Sequence, residues 1–468
     1  KTQEDGYTAT GFVNDKLTYP SYAQQFQKNG KPSGYFDKGR TIGFFGNINI
    51  GWDNRYIADF SLRTDGSSRF GRDNQFAPFW SVGLAWNVNR EKFWTGTGSM
   101  KIRASVGSVG SSKFSADQAL TRFVYNSDGE YNGIYGAELL QYGNTALKWQ
   151  NTLKYNLGLD MTVWKNIITL NFDAYLERTE NLLMDVDVAP STGFTSYKEN
   201  MGSLDNKGIE ARLRLNLLRG DDKGWNWNVT LSASHERDKI RKLSNAMKAM
   251  NAEAMKIENN TDSTSVFTMY EVGRSQKALM LVKSLGIDPA TGNELYLKRD
   301  GSTTFDYDPN DRVEVGNTTP KIQGFINTNL SWNHIELYMA FNYEYGAKIY
   351  NSTLAQKVEG ASPYQNADKR VLYDRWKKPG DIAMFRRIDD QGPVYQSSRL
   401  VQKNNYIRMS SLSLTYDIPR EKLARTFIER CKFTFSMTDV FRISSIKQER
   451  GTSYPFAWTY SFGVNLTF

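Results

Sequence analysis

The sequence predicts an all-β protein, a transmembrane antiparallel β-barrel with short periplasmic turns and long extracellular loops. Three observations predict it. Apolar and polar residues alternate with period two in segment after segment, the signature of strands with one face of each kind. No run of 18 or more apolar residues occurs, so no helix of the chain is built to cross a membrane, whereas barrel strands are short and half polar. The connections between the alternating segments are short and long by turns, which is the layout of an outer-membrane barrel.

The strands follow in order. By pattern about 13 are expected, near 41–53, 54–66, 78–91, 99–110, 152–163, 167–180, 205–218, 225–238, 322–333, 334–346, 404–417, 431–443 and 456–468. In the sixth, Ile168, Leu170, Phe172 and Ala174 alternate with Thr169, Asn171, Asp173 and Tyr175. In the seventh, Ile209, Ala211, Leu213, Leu215 and Leu217 alternate with Glu210, Arg212, Arg214 and Asn216. The last, YSFGVNLTF, sets Tyr460, Phe462, Val464, Leu466 and Phe468 against Ser461, Gly463, Asn465 and Thr467. Short connections stand at Asp53-Asn54, Trp164-Lys165-Asn166 and Asn333-His334, and long ones fall at 111–151, 181–203, 239–320 and 347–403. With the short turns in the periplasm, the first and the last of 13 strands both run inward. Bacterial single-chain barrels have even strand numbers. The segment 41–468 is therefore expected to be the C-terminal part of a larger barrel, with 1–40 an extracellular loop or partial strand.

Composition narrows the function. The chain has 468 residues, a net charge of +9 and one cysteine, Cys431, so no intrachain disulfide framework is possible. Its mean hydropathy of -0.58 is polar, as a barrel permits. The charge is spread along the chain and reads as solvated surface, not as a nucleic-acid patch. His235 and His334 are too few and too far apart for a histidine metal site, and no cofactor motif is present. No GxSxG, HExxH, P-loop or strand–helix GxGxxG occurs, so the chain does not read as an enzyme. Aromatic residues make up 13%; Trp80, Trp86, Trp164, Trp225 and Trp332 suit interface girdles.

The loops hold the candidate contacts. Tyr125, Tyr131, Tyr135, Tyr142 and Trp149, with Phe123, crowd 111–151 among polar residues. Aromatic faces stack on the C–H faces of sugars, and self-packing of the loop is the competing reading. Asp306, Asp308 and Asn310 have calcium-loop spacing but lack the turn glycine and closing glutamate, so a plain turn is the better reading. DGSSRFG, Asp65 to Gly71, reads as a loop clamp ahead of an anion site. Leu243, Met247, Met250 and Ile257 fall near helical spacing and predict a short surface helix within 237–258. Asn171, Asp173, Glu210, Arg212 and Arg214 are expected on the lumenal wall.

Several segments resemble SusC-like TonB-dependent transporters. They are RYIADFSLRTDGSSRFGRDNQFAPFWSVGLAWNVNREKFW (Arg55 to Trp94), LKWQNTLKYNLGLDM (Leu147 to Met161) and NMGSLDNKGIEARL (Asn200 to Leu213). LGIDPATGNELYL (Leu285 to Leu297), VGNTTPKIQGFINTNLSW (Val315 to Trp332), NNYIRMSSLSLTYDIP (Asn404 to Pro419) and the terminal YSFGVNLTF complete the set, in family order. The resemblance implies a 22-stranded barrel of the Gram-negative outer membrane, set in lipid and lipopolysaccharide. It implies a plug domain and a TonB box, neither matched by any segment of this sequence, and energy from TonB-ExbB-ExbD. It also implies a SusD-like lipoprotein lid and import of large nutrients, oligosaccharides first and peptides as the alternative. It places the apolar residues of YSFGVNLTF against lipid, and Phe468 resembles a barrel-assembly signal. A passive porin, a surface adhesin and a soluble all-β binding protein are the other readings.

Overall fold

The computed structural model describes residues 9–12, 23–26, 40–68, 70, 74–111, 121–131, 134–141, 143, 147–187, 196–220, 224–244, 247–252, 269–362, 364, 367–390, 392–424, 426–446 and 458–468. In chain order the strands are β1 (Ala9–Phe12), β2 (Ala23–Phe26), β3 (Thr41–Trp52), β4 (Tyr56–Ser67), β5 (Phe76–Asn87), β6 (Ser99–Ser111) and β7 (Arg122–Tyr131). Then come β8 (Ile134–Gln141), β9 (Gln150–Val163), β10 (Ile168–Asp187), β11 (Ser196–Arg219), β12 (Trp225–Lys242), β13 (Ala278–Ile287) and β14 (Glu294–Leu297). The rest are β15 (Thr303–Thr304), β16 (Arg312–Asn317), β17 (Ile322–Trp332), β18 (Ile335–Tyr350), β19 (Val401–Asp417), β20 (Arg430–Ser444) and β21 (Thr459–Thr467).

Thirteen of these form one antiparallel sheet in the order β3-β4-β5-β6-β9-β10-β11-β12-β17-β18-β19-β20-β21. They are the thirteen strands read from the alternation. The sheet follows chain order, and the remaining strands sit in the long connections. Among the described residues β3 and β21 each have one neighbour, so this sheet is an open wall of a barrel.

Turn chemistry puts the short connections at one end. Asp53 and Asn54 take φ 52° and 50°, and Trp164, Lys165 and Asn166 take φ 52°, 52° and 66°, the left-handed geometry of tight hairpins. The register then keeps like with like. Ile50, Ala58, Leu84, Ala104, Leu157, Ala174 and Ile209 pair in succession across seven strands, all on one face. The opposite face carries an equally continuous polar row.

The apolar face is exposed. Ile48 is 62% accessible, Leu84 56% and Phe462 83%. A water-soluble sheet would cover such a face, and the exposure has a physical reason only if lipid is the solvent. The buried cores lie elsewhere, in the long-loop end. Leu354, Ala355, Val358, Val371, Phe385 and Leu400 form one, and Ile240, Met247 and Tyr270 another.

The structure corrects several expectations. β10 and β11 run on to Asp187 and from Ser196, past the expected ends at 180 and 205, because their paired edges continue above the membrane. Strand β12 reaches Lys242, so the expected helix begins only beyond it. Residues 247–252 are helical, with Ser244 Oγ accepting the Met247 N–H at 3.1 Å, and Ile257 lies outside the described residues. The connection read as one loop over 239–320 contains a four-stranded sheet in the order β15-β14-β13-β16. Its strands are two to ten residues long, too short for a clear period.

Candidate functional site

The lumenal wall is built by one polar row. Arg103, Gly158, Asp173, Glu210, Ser234, Gln323, Glu344 and Tyr406 are successive cross-strand partners from β6 to β19. Arg103 pairs with Asp160 at 2.8 Å and reaches Asp173, two strands away, at 3.2 Å. It crosses β9 at Gly158, where a Cβ would lie 2.7 Å from the guanidinium carbon. Asn171 Nδ2 donates to Asp160 at 2.8 Å. Further round, the Arg212 guanidinium lies 5.7 Å from the centre of the Phe325 ring. Tyr406 Oη donates to Glu344 at 2.7 Å. A concave cavity of about 650 Å³ opens between these groups, lined by Asn171, Asp173, Glu210, Arg212, Phe325, Asn342 and Glu344. Asn171, Asp173, Glu210 and Arg212 therefore meet where the alternation placed them. Phe325 and Asn342 were missed, although both stand at polar-face positions of clean alternating strands.

Above the wall, the two longest connections dock on each other. The segment 351–400 lies along β13 and β14. Ser284 N–H donates to Ser398 Oγ at 2.9 Å, Tyr307 Oη to the Gln396 carbonyl at 3.3 Å, and Trp376 Nε1 to the Pro289 carbonyl at 2.9 Å. Tyr307 stacks on Tyr395 at 4.5 Å. At the centre is a buried ionic chain. Arg399 bridges Glu294 at 2.9 Å and Glu359 at 3.0 Å, and Arg386 holds Glu359 at 2.8 Å and Asp390 at 2.8 Å. The side chains of Arg399, Glu294 and Glu359 are at most 5% exposed. Burial pushes the Glu294 carboxyl up, but Arg399 and Ser397 outweigh it and hold the carboxyl below the usual range. Tyr296 goes far above the usual phenol range, through burial first and Glu294 second. The LGIDPATGNELYL segment supplies this chain's Glu294, and Asp288 ties its turn by accepting Thr291 Oγ1 at 2.7 Å.

The structure places the remaining sequence candidates as follows. Tyr125 and Tyr131 are on β7 and Tyr135 on β8, a hairpin in which Tyr125 pairs with Ala137 and Tyr131 with Ile134. Tyr142 lies outside the described residues. Trp149 is half-buried, stacked on Phe70 at 4.1 Å and edge-on to Phe79 at 5.5 Å, with Nε1 donating to the Gln75 carbonyl at 3.3 Å. Asp308 caps its own turn by accepting the Asn310 N–H at 2.9 Å, and Asp311 accepts the Arg299 N–H at 3.0 Å. In DGSSRFG, Ser68 Oγ accepts the Arg40 N–H at 2.9 Å, a clamp between β3 and β4; Arg69 and Gly71 lie outside the described residues. Arg214 faces the lumen beside Thr169 and Thr230.

Four of the tryptophans gather at the short-turn end. Trp225 and Trp332 stack at 5.3 Å, Trp164 stands on its turn, and Trp86 Nε1 donates to Glu91 at 3.0 Å. Trp80 lies six residues further along β5, roughly 20 Å toward the loop end. Phe468 stacks on Phe427 at 5.6 Å at the short-turn end.

A lipid-exposed apolar face, a polar inner row, an aromatic rim at the turns and tall built loops define an outer-membrane β-barrel. The family described as TonB dependent receptor-like, beta-barrel matches residues 2–262, and the chain belongs to it. TonB-dependent receptor P3 of Formosa agariphila is 26% identical over the whole chain and half of its own length. TonB-dependent receptor SusC of Bacteroides thetaiotaomicron is 29% identical over 52% of this chain and 25% of its own length. The solved RagAB peptide transporter superposes with a TM-score of 0.80 at 23% identity, covering 97% of this chain and 50% of that one. The chain thus spans about half the length of the Formosa receptor and of the solved structure.

Proposed function

We propose that this wall belongs to an importer that carries large nutrients, oligosaccharides in the first place, across the outer membrane with energy delivered through TonB. A surface lipoprotein lid closes over the loops in this reading. The carrying observation is the lumenal cavity. Carboxylates (Asp173, Glu210, Glu344), amides (Asn171, Asn342, Gln323), hydroxyls (Ser232, Ser234) and Arg212 line it together with three aromatic residues, Phe325, Tyr343 and Tyr406. Such a wall offers donors and acceptors to many hydroxyls and aromatic faces for a sugar ring. The relatives' names support receptor coupling to TonB.

The test uses the intact receptor in cells, with labelled oligosaccharides and labelled peptides of equal mass. The expected result is oligosaccharide uptake that stops when the proton gradient is collapsed. The double variant Phe325→Ala/Asn342→Ala lowers it about tenfold or more, since it removes one stacking face and one hydrogen-bonding amide. Uptake of peptides alone, or oligosaccharide uptake untouched by both treatments, overturns the reading.

A further inference from the structure

The outer face changes character abruptly where the strands leave the lipid band. On β10 the apolar run Ile168 to Leu176 is followed by Arg178. In the register Leu176 pairs with Lys207, Lys207 pairs with Arg237, and Asp205 pairs with Lys239. Lys207 and Arg237 are therefore like charges directly opposite one another, an arrangement that costs stability in a sheet. Asp205, the nearest acid, is taken by Arg178 at 3.1 Å and Arg241 at 3.6 Å. Lys207, Arg237 and Lys239 are exposed and have no ion pair among the described residues.

A cleft opens at the same height. Pairing of β12 with β17 stops at Ser234 and Gln323, and above it the strands part around a cavity of about 850 Å³. Lys207, Arg237, Lys239 and Lys321 line it. Its acids are committed elsewhere. Glu314 pairs with Arg274 at 2.8 Å, Asp238 accepts the Gln276 N–H at 2.7 Å, and Glu236 faces Lys277 at 3.8 Å. The Lys321 carbonyl can only accept, so His235 donates to it from Nδ1 at 2.5 Å. Directly below stand Ile209, Ile322 and Tyr345, 48%, 45% and 59% exposed on the lipid side.

We propose that this cleft binds the phosphorylated headgroup of an outer-leaflet glycolipid of the lipid A type. The uncompensated cations take the phosphate, and the apolar residues beneath them take the acyl chains. A free anion would use the first and have no need of the second. The proposal rests on the long-loop end facing outward, and is independent of what the barrel imports.

The test uses the intact detergent-extracted protein and measures binding of phosphorylated lipid A by native mass spectrometry. The probes for comparison are the dephosphorylated lipid with the same chains and inorganic phosphate. The variant Lys207→Gln/Arg237→Gln/Lys239→Gln is expected to bind phosphorylated lipid A roughly 100-fold more weakly, as three surface cations would account for. The charge-keeping Lys207→Arg/Arg237→Lys/Lys239→Arg retains binding, and nutrient uptake stays at the wild-type level in both. Equal binding by wild type and the Gln variant overturns the proposal, as does equal binding of the two lipids. Inorganic phosphate binding as tightly as the lipid would also overturn it, by making this a free-anion site.

Discussion

Arg399→Met tests whether the two long connections form one unit. Methionine keeps much of the buried stem and removes the charge, leaving Glu294 and Glu359 inside the loop dome. Glu359 retains Arg386 and Glu294 retains only neutral partners such as Ser397. Removing one partner of a buried ionic group costs about 3–5 kcal/mol, because the other charge stays desolvated. At 1.36 kcal/mol per decade this is roughly 10²- to 10⁴-fold in local opening. Hydrogen exchange of peptides from 278–304 and 351–400 reads it directly, with the barrel strands as internal reference. The sign with pH follows from Glu294. In the wild type its folded-state pKa is depressed, so its contribution is complete above the unfolded value of about 4.3 and is lost as pH falls through the folded pKa. In the variant burial is opposed only by the hydrogen bonds of Ser397 and Ser284 and raises the carboxyl's pKa, so the loss is greatest at high pH and shrinks on acidification. An exchange increase below about tenfold, one shared equally by the barrel strands, or one independent of pH would refute the reasoning.

Two further outcomes are expected. Gly158→Ala sets a Cβ 2.7 Å from the Arg103 guanidinium carbon and 2.8 Å from Asp173 Oδ1. It should destabilise the wall by about 1–3 kcal/mol in urea unfolding from detergent, and less in an Arg103→Ala background, where the clash with the guanidinium has gone and only that with Asp173 remains. Trp225→Ala removes the ring stacked on Trp332, a pair worth about 0.5–1.5 kcal/mol beyond its area, while Trp225→Phe keeps part of it. Reversible unfolding in lipid vesicles would measure both variants, and equal losses would show that the stack adds nothing.

The wall of the barrel was legible because its period is local. Two-residue alternation fixes which side chains share a face, so Asp173, Glu210 and Arg212 could be assigned to the lumen before their partners were known. The tight turns were legible too, since Asp53, Asn54 and Asn333 are residues that accept the left-handed conformation. The dome was not. Glu294, Glu359 and Arg399 are up to 105 residues apart, and nothing in their own neighbourhoods marks them as partners. Trp149 shows the same limit: an aromatic in a polar loop looks free, and only the fold brings Phe70 and Phe79 to its ring.

By itself, then, the sequence determined the strand count of the wall, its two faces and the alternation of turns and loops, because each depends on neighbours two residues apart. Tertiary structure alone decided that Arg103 reaches Asp173 across Gly158, that two distant loops share one ionic core, and that β12 and β17 part around a cleft whose lining includes Lys207, Arg237, Lys239 and Lys321. Those arrangements depend on register between strands and on contacts between distant segments, which packing sets and local pattern does not carry.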